Sequence, residues 1–188
     1  MFSVQKPAAL DGARAGHSLY RTHRFRQTCP SQMPSFTTQR RVAHSAVQMF
    51  DLVADVDSYP QFLPMCTGLT VKSRSIDAQG RDVLVADMQV GYKAIRERFA
   101  SRVTLDRGSL EILVEYIDGP FSHLRNRWNF VDMPSTERPA SRVDFFIDYQ
   151  FRSRLLGMLM GSMFDIAFRK FTTAFETRAD QIYGRGNS

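Results

Sequence analysis

Four histidines (His17, His23, His44, His123) and two cysteines (Cys29, Cys66) are the side chains that could hold a metal or serve as base and nucleophile. Their spacing supports neither chemistry. No two histidines stand at metal-ligand spacing, and no cysteine or carboxylate cluster joins them. No set of nucleophile, base and orienting group can be assembled. His44 falls beside the start of a predicted helix and His123 in a predicted turn over 119–123, where local structure or surface is the simpler reading. Cys29 and Cys66 make no disulfide framework, which points to a reducing compartment.

The remaining polar groups of interest stand in apolar company. Tyr149 alternates with Val143, Phe145, Ile147 and Phe151, and Trp128 with Leu124 and Phe130. A phenol or an indole N–H in such a row is a hydrogen-bonding handle inside an apolar space, or a satisfied group at its rim. Tyr59-Pro60 and Phe62-Leu63 form an aromatic, proline-braced segment. Two readings of it are open: a mouth that admits a ligand or touches a membrane, and a cap packed on the core.

The elements that would position these groups follow from periodicity. Phe36–Val42 reads as a strand. Ser45 is a fitting N-cap for a helix with Val47, Phe50 and Val53 or Ala54 on one face. Ser58 could cap a second short helix, with Pro60 in its first turn and Pro64 ending it. From residue 69 to 152 the period is two. Strands are predicted over 69–76, 83–92, 95–105, 110–117, 124–131 and 143–151, divided by turn-forming segments such as Asp118-Gly119-Pro120. Short links imply an antiparallel meander. One face is apolar and the other carries Arg96, Arg98, Arg102, Arg125 and Arg127, expected to lie in solvated cross-strand pairs with Asp and Glu.

The last element runs from Arg154 or Leu155 to about Ile182. Its first fourteen residues, 155–168, are apolar almost all round, too few to span a bilayer. Gly157 and Gly161 fit a helix that must come close to something or flex. Methionine is an adaptable filler of irregular apolar space. A loosely specified core and a lid over a cavity are both open here. The order of elements gives an α+β architecture: a curved antiparallel sheet gripping a long C-terminal helix, with two short helices closing one end. The inner positions are then Leu84, Ala86, Met88, Val90, Phe99, Val103, Trp128, Phe130, Phe145, Ile147 and Tyr149. They include no histidine or carboxylate.

Charge narrows the function classes. The chain has 188 residues and a net charge of +6. Lys6, Arg14, Arg21, Arg24 and Arg26 face only Asp11 within 1–32, leaving 20 basic and 18 acidic residues beyond. A nearly balanced domain argues against specific nucleic-acid binding. Residues 1–32 lack apolar periodicity and a secretory core; they suit a mitochondrial presequence, or a disordered or misassigned leader before a start at Met33. The domain is expected over 33–184, with a tail at 185–188. Fifteen phenylalanines indicate wide apolar surfaces or a Phe-rich core.

Several segments, in this order, resemble the coenzyme Q-binding START-like family of bacteria and mitochondria. They are Tyr59-Pro60-Gln61-Phe62-Leu63-Pro64-Met65-Cys66, Leu124-Arg125-Asn126-Arg127-Trp128-Asn129-Phe130, Val143–Phe151 leading into Leu155-Leu156, and Phe175-Glu176-Thr177-Arg178-Ala179 with Tyr183-Gly184. The family is close kin to the ribosome association toxins and to polyketide cyclase-like proteins. Many relatives carry Trp where this chain has Met65. The resemblance implies a helix-grip fold with an interior cavity. It implies non-catalytic binding and delivery of a lipid, ubiquinone or a similar isoprenoid quinone, in support of respiration or quinone synthesis. No catalytic cofactor or metal is implied. The binding residues would be Tyr59, Pro60, Phe62, Leu63, Met88, Val90, Phe99, Trp128, Phe130, Phe145, Ile147, Tyr149, Met158, Leu159, Met163 and Phe164. Partners would be the lipid and, transiently, a membrane surface. The setting would be the bacterial cytoplasm or inner-membrane periphery, or a mitochondrion if the chain is eukaryotic. Alternatives are a ribosome-associating protein and a cyclase-like enzyme.

Overall fold

The computed structural model describes residues 35–92, 94–134 and 138–184, with the backbone alone at 159–166 and 168. The expectations for 1–32, for 185–188 and for the side chains of Leu159, Met163 and Phe164 lie outside the described residues.

Strand β1 (Ser35–Val42) leads to helix α1 (Ala46–Ala54), a 3-10 turn (Val56–Ser58) and helix α2 (Tyr59–Phe62). Six strands follow: β2 (Cys66–Ile76), β3 (Asp82–Tyr92), β4 (Ile95–Asp106), β5 (Glu111–Asp118), β6 (Phe121–Asp132) and β7 (Ser141–Phe151). Helix α3 (Arg154–Tyr183) ends the described chain. The sheet order is β1-β7-β6-β5-β4-β3-β2, every neighbouring pair antiparallel. This is the α+β, helix-grip arrangement expected.

Boundaries differ where the period breaks. β2 begins at Cys66 rather than Leu69, and β6 at Phe121 rather than Leu124. Bulges between Cys66 and Gly68 and between Phe121 and His123 interrupt the alternation there. His123 therefore lies in β6, not in a turn. In α1 the capping box is complete: Ser45 Oγ accepts from Gln48 N at 3.2 Å, and Gln48 Oε1 accepts from Ser45 N at 2.9 Å. The helix buries Ala46, Met49, Phe50 and Val53, a stripe at i, i+3, i+4, i+7, so Val47 faces out at 42% exposure. Ser58 is no cap for α2. It already has helical backbone angles, and its hydroxyl donates to Asp55 Oδ2 at 2.5 Å. Ser153 caps α3 instead, accepting from Leu156 N at 3.3 Å. At Gly157 an added methyl would meet Phe151 at an ordinary 3.9 Å, so no close approach requires glycine there.

Register sets a continuous inner face. Leu84 pairs with Val103, Val103 with Val114, Ile112 with Trp128 and Trp128 with Phe145. These rows form one core with α1 and the later part of α3, whose Phe171, Ala174, Phe175, Ala179 and Tyr183 pack on it. The outer face carries the expected ion pairs: Asp87 with Arg98 and with Lys72 at 3.4 Å, and Arg127 with Glu111 at 3.6 Å. Arg98, chiefly, holds the Asp87 carboxyl below its usual range. Such exposed pairs add little to stability.

Two local features carry more weight. Gly119 has φ of +133°, and a Cβ there would stand 2.7 Å from both Arg98 O and Phe99 Cβ. Gly119→Ala should cost about 2–3 kcal/mol in urea denaturation; an unchanged midpoint would show that the β5–β6 turn yields freely. Tyr59 donates its hydroxyl to Val53 O at 2.6 Å and packs its ring on Phe62 and Phe175 at 5.9 and 5.5 Å. Burial first, then the charges of Asp55 and Cys66, push its phenol above the usual range. Tyr59→Phe should destabilise the fold by roughly 1 kcal/mol by orphaning that carbonyl. Urea melts check this, and a wild-type midpoint would remove the bond from the stability argument.

Candidate functional site

The inner face of the sheet divides into two regions. The first is sealed. Trp128 lies tilted against Phe145 at 4.5 Å and meets Phe175 of α3 edge-on at 5.7 Å. Phe175 in turn meets Phe62 at 5.4 Å. Phe130 and Leu63 are fully enclosed here. An apolar cleft of only about 30 Å³ remains at this end, between β1, β7, α1 and α3. It is floored by Trp128, Val143 and Phe145 and edged by the Arg40–Glu176 pair at 2.6 Å. A space of that size holds about one water and no lipid headgroup.

The second region is a separate cluster of Leu124, Phe145, Ile147 and Tyr149, with Phe36, Tyr116, Phe121, Trp128 and Phe151 against it. Its rings form a chain. Phe99 meets Phe121 at 5.7 Å, Phe121 meets Tyr116 at 5.8 Å, and Phe121 stacks on Phe151 at 4.7 Å. Tyr149 lies against Phe151 at 5.7 Å. None of the described α3 side chains belongs to this cluster.

The structure therefore brings Trp128, Phe130, Phe145, Ile147, Tyr149 and Phe99 onto one face. Met88 shares that face, opposite Phe99, and Val90 stands nearer its edge, opposite Glu97. Tyr59, Phe62 and Leu63 pack at the sealed end, and Pro60 is exposed beside them. Met158 does not line the cleft: it is 71% exposed, with Leu155 at 63%, in the first turns of α3.

Polar residues also occupy the inner face, and the sequence reading missed them. Asn126 lies between Leu124 and Trp128 at period two, in register with Val114 and Ile147. Tyr116 stands opposite Ser101. The alternation that places Leu124 and Trp128 inside places Asn126 there too; its polarity masked it. His44 is buried with its Nε2 2.9 Å from Asp180 Oδ1, joining the start of α1 to the end of α3. His123 Nε2 lies 3.1 Å from Asp148 Oδ2 on the outer face. Burial raises the Cys66 thiol above its usual range, which keeps it a neutral core side chain. Among the described residues, no three His, Cys, Asp or Glu side chains are grouped to hold a metal. No described helix is long and apolar enough to cross a membrane.

An enclosed apolar face under a long helix, with few polar groups, suits an apolar guest better than proton transfer. Residues 42–176 match the family described as polyketide cyclase/dehydrase and lipid transport. Ribosome association toxin RatA of Escherichia coli is 34% identical over 151 residues, 80% of this chain and 90% of that protein. Coenzyme Q-binding protein COQ10 homolog B, mitochondrial, of Xenopus laevis is 29% identical over 82% of this chain and 62% of its own length. A START superfamily protein from Mycobacterium smegmatis shares the fold with a TM-score of 0.65 at 19% identity, covering 79% of this chain and 98% of that one. The chain belongs to the polyketide cyclase/dehydrase and lipid transport family.

Proposed function

We propose that the protein binds and delivers a hydrophobic lipid, ubiquinone or a similar isoprenoid quinone, without transforming it. The observation that carries this reading is the second aromatic region. It is a buried apolar cluster, Leu124, Phe145, Ile147 and Tyr149 at 6–8% exposure, to which none of the described α1 or α3 side chains belongs, whereas the first region is closed by both helices. Likeness to a coenzyme Q-binding protein and membership of a lipid transport family support the choice of ligand. On this reading Phe99, Trp128, Phe145, Ile147 and Tyr149 line the guest's path, with Met88 and Val90 at its edge. Leu159, Met163 and Phe164 would close over it from the helix. Tyr59, Pro60, Phe62 and Leu63 would brace the sealed end. The domain proper would be 33–184, and the leader would be dispensable for folding and binding.

A second reading, ribosome association, rests on the likeness to RatA across nine-tenths of that protein. Co-sedimentation with ribosomes separates it from the carrier reading. The carrier is tested by mass spectrometry of organic extracts from gently purified protein, which should show a polyprenyl quinone. Extracts free of lipid, with no quinone binding on titration, would overturn it.

Uptake from a membrane fits the first turns of α3. Leu155 and Met158 are exposed apolar side chains flanked by exposed Arg152 and Arg154. Apolar groups bracketed by cations suit an interface with anionic headgroups. Withdrawing a large apolar side chain from water is worth roughly 1.5–3 kcal/mol. The double change Leu155→Ser, Met158→Ser should therefore lower binding to anionic liposomes tenfold or more. Circular dichroism should stay unchanged, since neither side chain is core. Undiminished liposome binding would remove this turn as the membrane contact.

A further inference from the structure

The second aromatic region contains two polar atoms that are shielded from solvent and have no hydrogen-bond partner among the described residues: the Tyr116 hydroxyl and Asn126 Oδ1. Unpaired buried polar atoms are uncommon in folded proteins, because each forfeits its hydration without return. Ser141 Oγ is another, but Ser141 is wholly enclosed beside β1, where no guest can reach it. His123 Nε2 and Asp148 Oδ1 belong to the outer face. Arg178 Nε belongs to α3, where its guanidinium lies over the Phe62 ring at the sealed end. Among the described residues, Tyr116 and Asn126 alone place such atoms on the inner face beside the aromatic chain.

Their positions are related. Asn126 of β6 stands opposite Val114 of β5, and Tyr116 is the next residue of β5 on that face. The two are diagonal neighbours, within reach of one another's long side chains and of a single ring lying against the sheet. The Tyr116 ring is fixed by its edge contact with Phe121, and both residues are half-buried rather than enclosed.

The chemistry of the pair selects a ligand. A phenolic hydroxyl can donate or accept, but a carboxamide oxygen can only accept. An oxidised quinone ring offers acceptors alone, its carbonyls and ether oxygens. It would answer Tyr116 and leave Asn126 Oδ1 unpaired. A hydroxyl on the ring can donate to Asn126 while a ring oxygen accepts from Tyr116. We propose that Tyr116 and Asn126 recognise the headgroup of the carried lipid and select a hydroxyl-bearing aromatic ring, the hydroquinone rather than the quinone. This rests on the carrier reading and deepens it, assigning to the site a redox state of its cargo. The apolar tail then runs along the inner face.

The test is calorimetric titration under nitrogen with decylubiquinol and decylubiquinone, on the full chain and on Tyr116→Phe and Asn126→Leu. The wild type should bind the quinol about tenfold more tightly than the quinone, the factor one well-formed buried hydrogen bond supplies. Asn126→Leu should lose most of that preference while binding the quinone about as before, whereas Tyr116→Phe should weaken binding of both forms several-fold, because a ring oxygen accepts from Tyr116 in either. Each should also keep or raise the thermal midpoint, because an unpaired polar atom has been removed; a purely structural role would lower it. Equal wild-type affinity for both forms would overturn the proposal and leave the carrier reading standing. A preference that survives in Asn126→Leu, or quinone and quinol affinities unmoved by Tyr116→Phe, would also overturn it. If the wild type binds neither form, the carrier reading falls with it. Should one variant fail to fold, the other and the wild-type ratio still decide.

Discussion

The structure depends on one constraint: a seven-stranded antiparallel sheet with a single apolar face, and one long helix available to cover it. Polar groups on the outer face meet water and each other, as Asp87 does with Arg98 and Lys72. The inner rows have no such outlet. They must find partners in α1, α2 and α3, and the register that aligns Leu84, Val103, Val114 and Asn126 across four strands fixes what each partner sees.

Cover is distributed unevenly along α3. From Phe171 onward its side chains close the first core, helped by α1, by the Tyr59–Phe62–Phe175 triangle and by the buried His44–Asp180 contact. Its first turns present Leu155 and Met158 outward instead. Among the described side chains, helix-to-sheet packing is thus found chiefly at one end of the sheet. The other end holds a buried aromatic cluster whose inner polar atoms, Tyr116 Oη and Asn126 Oδ1, have no partner among the described residues. On the proposed carrier reading, a guest could leave the second region while the sealed core stays intact.

Much of this was legible in the sequence. Strict alternation in Val143–Phe151 named one inner row correctly, and Ser45 marked the start of α1. What escaped did so for physical reasons. Bulges at Cys66–Gly68 and Phe121–His123 shift the period by one residue, hiding the true strand starts and moving His123 into a strand. Ser58 looked like a cap, but the 3-10 turn before it had already made its backbone helical. Val47 was assigned inward, but the stripe through Ala46, Met49, Phe50 and Val53 turns it outward. Composition cannot settle such a rotation; only the neighbouring elements do.

The instructive omission is Asn126. Reading polarity before period sends an asparagine outward; reading period before polarity places it between Leu124 and Trp128, inside. The same order of reasoning brings Tyr116 inward beside Ile112 and Val114. An apolar face tolerates a polar side chain in two ways, by satisfying it internally or by leaving it for something that arrives later. His44 illustrates the first, with Asp180 in place. Tyr116 and Asn126 have no such partner among the described residues, and they lie where the sheet is least covered by the described helix side chains. On the proposed reading, their cost to the fold is the counterpart of selectivity for the guest, because a guest is discriminated best by groups that nothing else satisfies.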